Sequence, residues 1–140
     1  MAEVGGQDQP PLRRASIARG TLALGPAGRA MAGDAAAGVL AAAQAAGLLA
    51  AKQAALRLPA AVPVQLTHVA CELAVEEAGV TCTATVQAYA REPLDAHALA
   101  CCAEALLAAW GMLAGVERDE DGGYATARIV DIGVVQNVVL

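Results

Sequence analysis

Few residues in this chain could do chemistry, and they are widely spaced. Lys52 closes an alanine-rich run that is otherwise almost uncharged. A lysine near an apolar helix end can act as an acid or base if partial burial lowers its pKa, and otherwise it can pair with phosphate. Read from composition alone, it is equally a lysine that snorkels from a surface helix. Asp95 and His97, with Ala96 between them, follow Pro93 at the start of a second helical run. The first turn of a helix favours anions, so this pair is either part of an anion- or proton-handling site or a capping aspartate beside an exposed imidazole. His68 alternates with Glu72 on the polar side of a strand, where it either supplies a cation or simply faces water. Lysine, carboxylate and imidazole together suffice for proton transfer, provided that the fold makes them converge.

The other candidates point away from several function classes. Cys71, Cys82, Cys101 and Cys102 form no C-x-x-C pair, and the adjacent two cannot easily chelate one metal. With only two histidines, no zinc site, other metal or cofactor is expected, and the thiols read as free, buried groups of a reducing cytoplasm. The net charge is -5 and the chain holds one Trp, two Tyr and no Phe. Without a basic stripe and stacking aromatics, no nucleic-acid partner is expected. Arg13, Arg14 and Arg19 form the one basic cluster, read as a solvated strand edge or a local anion contact. The run from Ala35 to Ala51 is apolar, but it falls short of ~20 residues and lacks flanking aromatics, so a buried helix is expected rather than a membrane span. No secretory signal is expected at the polar, Gly- and Pro-containing start, and residues 1–11 are expected to be flexible. A cytoplasmic protein follows.

These residues need elements to hold them. Residues 12–24 read as a first strand, ended by Gly25-Pro26, with a loop over residues 28–33. Asp34 suits the N-cap of the alanine-rich helix, which Gly47 could bend or divide and which stops before Pro59. A loop over residues 60–64 follows. Then the period becomes two: Val69, Cys71, Leu73 and Val75 face one way and His68, Glu72 and Glu76 the other, and after Glu77-Ala78-Gly79 the residues Val80, Cys82, Ala84, Val86 and Ala88 alternate with Thr81, Thr83, Thr85 and Gln87. That pattern predicts a hairpin. Leu99, Cys102, Leu106, Trp110 and Leu113 give the buried stripe of a long helix over about residues 94–115. The acidic run 117–121 reads as a surface turn and residues 124–140 as a last strand, bent near Gly133. The order β, α(α), β, β, α, β suits an α+β domain, an antiparallel sheet with helices on one face. The 140 residues suit one domain, and a core of Ala, Val and Leu favours self-association.

Particular strings then resemble a known family. Gly47-Leu48-Leu49-Ala50-Ala51-Lys52 is similar to the helix ending in Ala-Ala-Lys of the cyclic pyranopterin monophosphate synthases. Pro59, Pro63, Leu66 and Thr67 fall where that family has its Ile-Pro-Leu-Cys-His-Pro loop and the strand after it. The hairpin and the helix reaching Trp110 and Met112 keep the family's register. The resemblance implies a ferredoxin-like fold covering residues 1–140 and a homo-oligomer, a hexamer built as a trimer of dimers with sites shared between subunits. It implies a lyase-type reaction of molybdenum cofactor biosynthesis, in which a cyclised dihydroguanosine triphosphate gives cyclic pyranopterin monophosphate and pyrophosphate.

The resemblance also marks departures. Lys52 matches the family's catalytic lysine. Ala61-Val62-Pro63 stands where the family has Cys-His-Pro, so the substrate-binding positions Ala61 and Val62 carry no imidazole. General acid–base groups contribute ~100- to 10,000-fold, so that change is severe if the histidine does chemistry. Asp95-Ala96-His97 replaces Glu-Met-Glu, keeping one carboxylate and turning the other into an imidazole, with Ala96 at a substrate-binding position. His68 stands where the family often has lysine. Trp110-Gly111-Met112-Leu113-Ala114 lacks the family's aspartate and second lysine, and Val138-Val139-Leu140 stands where a basic tail would follow. The expected protein is therefore a degenerate or weakly active synthase with Lys52, Asp95 and His97 as its catalytic set, taking a nucleotide- or pterin-like ligand. The alternatives are a non-catalytic oligomeric subunit, with itself or with an active paralogue, and an enzyme repurposed to a less anionic substrate.

Overall fold

The computed structural model describes residues 10–140. The expected flexibility of residues 1–11 falls, for residues 1–9, outside the described residues; Pro10 and Pro11 are exposed and lead into the first strand. That strand, β1 (Leu12–Ala23), is followed by a short helix α1 (Pro26–Gly33), a 3-10 turn (Ala35–Ala37) and the long helix α2 (Val39–Arg57). The hairpin β2 (Leu66–Glu76) and β3 (Gly79–Ala90) comes next. Helix α3 (Asp95–Leu113) continues into a 3-10 turn (Ala114–Glu117), and β4 (Arg128–Val139) ends the fold. The four strands form one antiparallel sheet in the order β2-β3-β1-β4. With α2 and α3 packed on the sheet, this is the expected α+β, ferredoxin-like arrangement.

Alternation sets the hairpin. Val80, Cys82, Ala84, Val86 and Ala88 are all buried, while Thr81, Thr83, Thr85 and Gln87 take the other face. Helix α3 lays Cys102, Leu106, Ala109 and Leu113 onto this surface. Trp110, expected in the core, is only half-buried and packs edge-on against Tyr124, with ring centroids 4.9 Å apart. Helix α2 carries apolar residues on every side and packs through small ones: Val39, Ala43, Gly47, Ala50 and Ala54 are buried. Gly47 does not divide it. A Cβ there would lie 2.7 Å from Cys71 Sγ and 2.9 Å from the Cys101 carbonyl oxygen, so glycine is what lets α2 approach both β2 and α3. Both α2 and α3 are long and apolar enough to cross a membrane by length and composition alone; here they pack against each other and the sheet.

Four local expectations fail. Residues 28–33, read as a loop, belong to helix α1. Proline at its first turn fits a helix start, and the Glu117 carboxylate, far away in sequence, accepts hydrogen bonds from Gly25 N and Gly28 N at 2.7 Å each. Glu117 is thus a half-buried cap rather than part of a surface turn. Asp34 caps the 3-10 turn, accepting from Ala36 N at 3.0 Å, and α2 begins only after Gly38, whose φ is 68°. The last strand starts at Arg128, not Tyr124; its pairing with β1 shifts at two places on either side of Gly133, at Val135 and next to Asp131, whose φ is 59°.

Candidate functional site

Lys52 lies on the second turn from the end of α2, beside the edge strand β2. Between them is a cavity of about 420 Å³. Leu48 from the helix and Val64, Leu66 and Val69 from the loop and strand give it apolar walls. Lys52, Thr67 and His68 give it polar groups. The pairing of β2 with β3 slips between Leu66 and His68, which leaves Thr67 as the extra residue at this end of the strand. Its hydroxyl donates to the Gln87 carbonyl at 3.2 Å. Lys52 is exposed and is the single lysine of the chain. It can therefore offer an ammonium to an anion while its stem covers apolar surface.

The structure thus brings Lys52 and His68 together and separates them from the other candidates. Ala61 is buried and Val62 half-buried, both in the loop before β2 and absent from the cavity lining. His97, on the first turn of α3, is 3% exposed and hydrogen-bonded to the Val62 backbone. Burial pushes its pKa down, against the opposing effect of that hydrogen bond. A neutral imidazole that ties the loop to the helix is the result. Ala96, half-buried next to it, and Asp95 are also absent from the lining.

Asp95 belongs to a separate network that sequence reasoning missed. Its Oδ1 accepts from Asn137 Nδ2 at 2.8 Å. Asn137 Oδ1 accepts from the Ser16 hydroxyl, and Ser16 Oγ accepts from Leu94 N at 2.9 Å. The start of α3 is fastened in this way to β1 and β4. Ser16 is fully buried, so the chain of bonds removes an otherwise costly orphan hydroxyl. The available signal was a lone polar pair, Gln136-Asn137, within a valine-rich strand.

No arginine is in the cavity lining, and several are held elsewhere. Arg57 pairs with Glu104 at 2.7 Å, Arg14 donates to the carbonyls of Ala90 and Arg91, Arg29 donates to the Leu24 carbonyl, and Arg118 donates to the Tyr124 hydroxyl. Arg13 and Arg19 are on β1, with the whole of β3 between them and β2. The four cysteines are buried and unpaired. Cys71 Sγ and Cys82 Sγ are 3.8 Å apart, and Cys82 and Cys101 are pushed up by neighbouring thiols and by burial, so both stay protonated. Among the described residues no group of three or more His, Cys, Asp or Glu could hold a metal ion.

Comparison with known proteins bears on this geometry. Residues 1–138 match the MoaC family. A protein of Thermococcus kodakarensis, carrying the name "Probable cyclic pyranopterin monophosphate synthase", is 36% identical over 145 aligned positions, spanning 99% of this chain and 89% of that protein. A Pyrococcus abyssi protein of the same name is 34% identical over 99% of this chain and 87% of its own length. One from Sulfolobus acidocaldarius, again of that name, is 36% identical over 58% of this chain and 57% of its own length.

Proposed function

This chain belongs to the MoaC family, and from that premise we propose that it serves molybdenum cofactor biosynthesis as a divergent, weakly active cyclic pyranopterin monophosphate synthase of the cytoplasm. The observation that carries this reading is the position of the sole lysine, on the wall of a cavity whose one other titratable lining residue is a histidine and which holds no carboxylate. Lys52 holds the anionic part of a nucleotide-derived ligand, and the apolar walls hold its ring system. His68 is the one imidazole in the lining. His97 acts by keeping the Ala61-Val62 loop in place rather than by reaching the ligand within the same chain.

Self-association belongs to this proposal. Leu49, Leu56 and Leu107 on the helices and Val135, Val139 and Leu140 on or after β4 are exposed, and no charged residue occurs from Ile132 to Leu140. A long apolar edge without charges is a surface that pairs unless it is covered. Asp95 lies outside the Lys52 cavity of its own chain, so a role for it in proton transfer requires a second copy. The test is to supply purified protein with the cyclised dihydroguanosine triphosphate and follow pyrophosphate and cyclic pyranopterin monophosphate, with an intact family member as control. Slow product formation that Lys52→Met abolishes is expected. Turnover equal to the control would refute the reading of the lost groups. No turnover by folded, oligomeric protein would turn the reading to a non-catalytic subunit.

A further inference from the structure

We propose, on the reading that Asp95 moves a proton in the synthase reaction, that Asn137 is a positioning residue for that carboxylate. The hydrogen-bond chain from Leu94 through Ser16 and Asn137 makes Oδ2 of Asp95 the oxygen that takes up and returns the proton.

The direction of the chain is set at its buried end. Leu94 is 0% exposed, and its backbone N–H can only donate. Ser16 Oγ accepts from it at 2.9 Å. Ser16 is fully buried as well, so its own hydrogen needs an acceptor inside the protein, and that acceptor is Asn137 Oδ1. A carboxamide whose oxygen faces a hydroxyl turns its nitrogen the other way. Asn137 Nδ2 accordingly donates to Asp95 Oδ1 at 2.8 Å. The reversed amide would leave the buried Ser16 hydrogen without an acceptor and set the Asn137 oxygen against a carboxylate oxygen. One backbone N–H thus orders three side chains in series. Asp95 Oδ1 is an acceptor in this chain, and a proton placed on it would break the bond from Asn137. Uptake and release are left to Oδ2.

The outermost bond of the chain is not needed to satisfy the interior. Leu94 N and the Ser16 hydroxyl have their partners before Asp95 is reached, whereas Asn137 and Asp95 are both exposed. A hydrogen bond between exposed side chains adds little stability, because water can replace either partner. Its effect is on orientation. An exposed aspartate otherwise samples several staggered rotamers. A proton acceptor is useful only in the one that brings it within hydrogen-bond reach of the proton. Asp95 meets its substrate where a second copy completes the site, and a carboxylate oriented by its own chain is ready before the copies meet.

Kinetics separate positioning from fastening. Asn137→Leu removes both bonds. Asn137→Asp keeps the acceptor for Ser16 and puts a carboxylate where Asp95 now has a donor. Turnover of the cyclised dihydroguanosine triphosphate would be measured for both variants, alone and combined with Asp95→Asn, with enzyme in excess. Each single variant should lose about 10-fold in kcat, the scale of one hydrogen bond to a charged group, with KM within about twofold of the parent. In the Asp95→Asn background neither should cause a further loss. Parental kcat in Asn137→Asp would overturn the inference, because fastening to Ser16 would then suffice. An equal loss with and without Asp95 would overturn it too.

Asn137 is the single asparagine of the chain, which gives a readout that needs no turnover. Labelled with 15N in its side chain, it contributes one NH2 pair to the nuclear magnetic resonance spectrum. Asp95→Ala and Ser16→Ala should each move that pair toward the shifts of a free carboxamide, and the exposed control Glu120→Ala should leave it in place. A pair unmoved by Asp95→Ala would overturn the inference and leave the synthase reading standing. No turnover by the folded, oligomeric parent would end both.

Discussion

Replacing Glu117 by alanine should destabilise the fold far more than its place in an acidic surface run suggests. Its carboxylate accepts from Gly25 N and Gly28 N, both at 2.7 Å, across 92 and 89 residues of sequence. Those are two of the orphan donors at the start of α1, where no side chain of the helix itself forms a cap. Loss of a side-chain cap costs ~1 kcal/mol and loss of a favourable charge at a helix N-terminus ~0.3–1 kcal/mol. Because this carboxylate is half-buried and makes two charge-assisted bonds, a total of about 2 kcal/mol is expected. With an unfolding entropy of ~2.1 cal/mol/K per residue, that lowers Tm by about 7 °C for a chain of this size. Thermal and urea unfolding of Glu117→Ala, Glu117→Gln and the exposed control Glu120→Ala would measure it. The glutamine variant keeps an acceptor and should lose about half as much, and the control should be within ~0.5 kcal/mol of the parent. A loss below ~0.5 kcal/mol in Glu117→Ala would show that α1 does not depend on this cap.

The other predictions concern the loop, the helix pair and assembly. Because burial keeps His97 unprotonated in the fold while the unfolded imidazole binds a proton near its ordinary value of 6.5, stability should be full above that pH and decline as pH falls through it. His97→Gln should flatten this acid limb in urea midpoints taken at about pH 7.5 and 5.5; an unchanged slope would mean that His97 binds its proton equally in the folded and unfolded states. Gly47→Ala should cost ~1–3 kcal/mol by overpacking, outweighing the up to ~1 kcal/mol of helix propensity it gains, because its Cβ would meet a carbonyl oxygen 2.9 Å away; unaltered urea stability would refute the close approach. Val135→Lys should shift sedimentation equilibrium toward smaller species with the circular dichroism spectrum intact, and an unchanged mass would exclude the β4 edge from the assembly. Mixed and reannealed Lys52→Met and Asp95→Asn chains should recover about a quarter of parental turnover if each site takes one residue from each of two copies, as in a two-fold dimer; no recovery would place the two groups in unrelated roles.

Much of the fold was legible because its signals are local. The β2–β3 hairpin follows from strict alternation around Glu77-Ala78, and the stripe of α3 from residues at three- and four-residue steps. Helix α2 was legible as a helix but not as to its face, since alanine lines nearly its whole circumference. Its buried side is marked by size rather than polarity: Ala43, Gly47, Ala50 and Ala54 recur where a larger residue would not fit. Helix α1 was missed because its cap comes from Glu117, a contact that no window of sequence contains. The site was half legible. Lys52 and His68 were singled out separately, but that they share a cavity depends on α2 lying along the edge of β2. Asn137 was missed because its significance comes from Ser16 and Asp95, which are distant in sequence.

The polar groups that remain inside this chain argue for a protein that keeps the position of its site more firmly than the site's chemistry. Ser16 and Asn137 hold the start of α3, and His97 on that same turn holds the loop at Val62. The loop in turn leads through Val64 into the cavity where Lys52 stands. Thus one short stretch at the head of α3 ties β1, β4 and the cavity's loop together. His97 meets the loop at the Val62 backbone, buried and uncharged, and so fixes the loop's shape within the chain. The arrangement also explains how Ala61 and Val62 are tolerated there: the order that polar loop side chains would have supplied comes from α3 instead. What the cavity then retains is one ammonium, one imidazole and apolar walls.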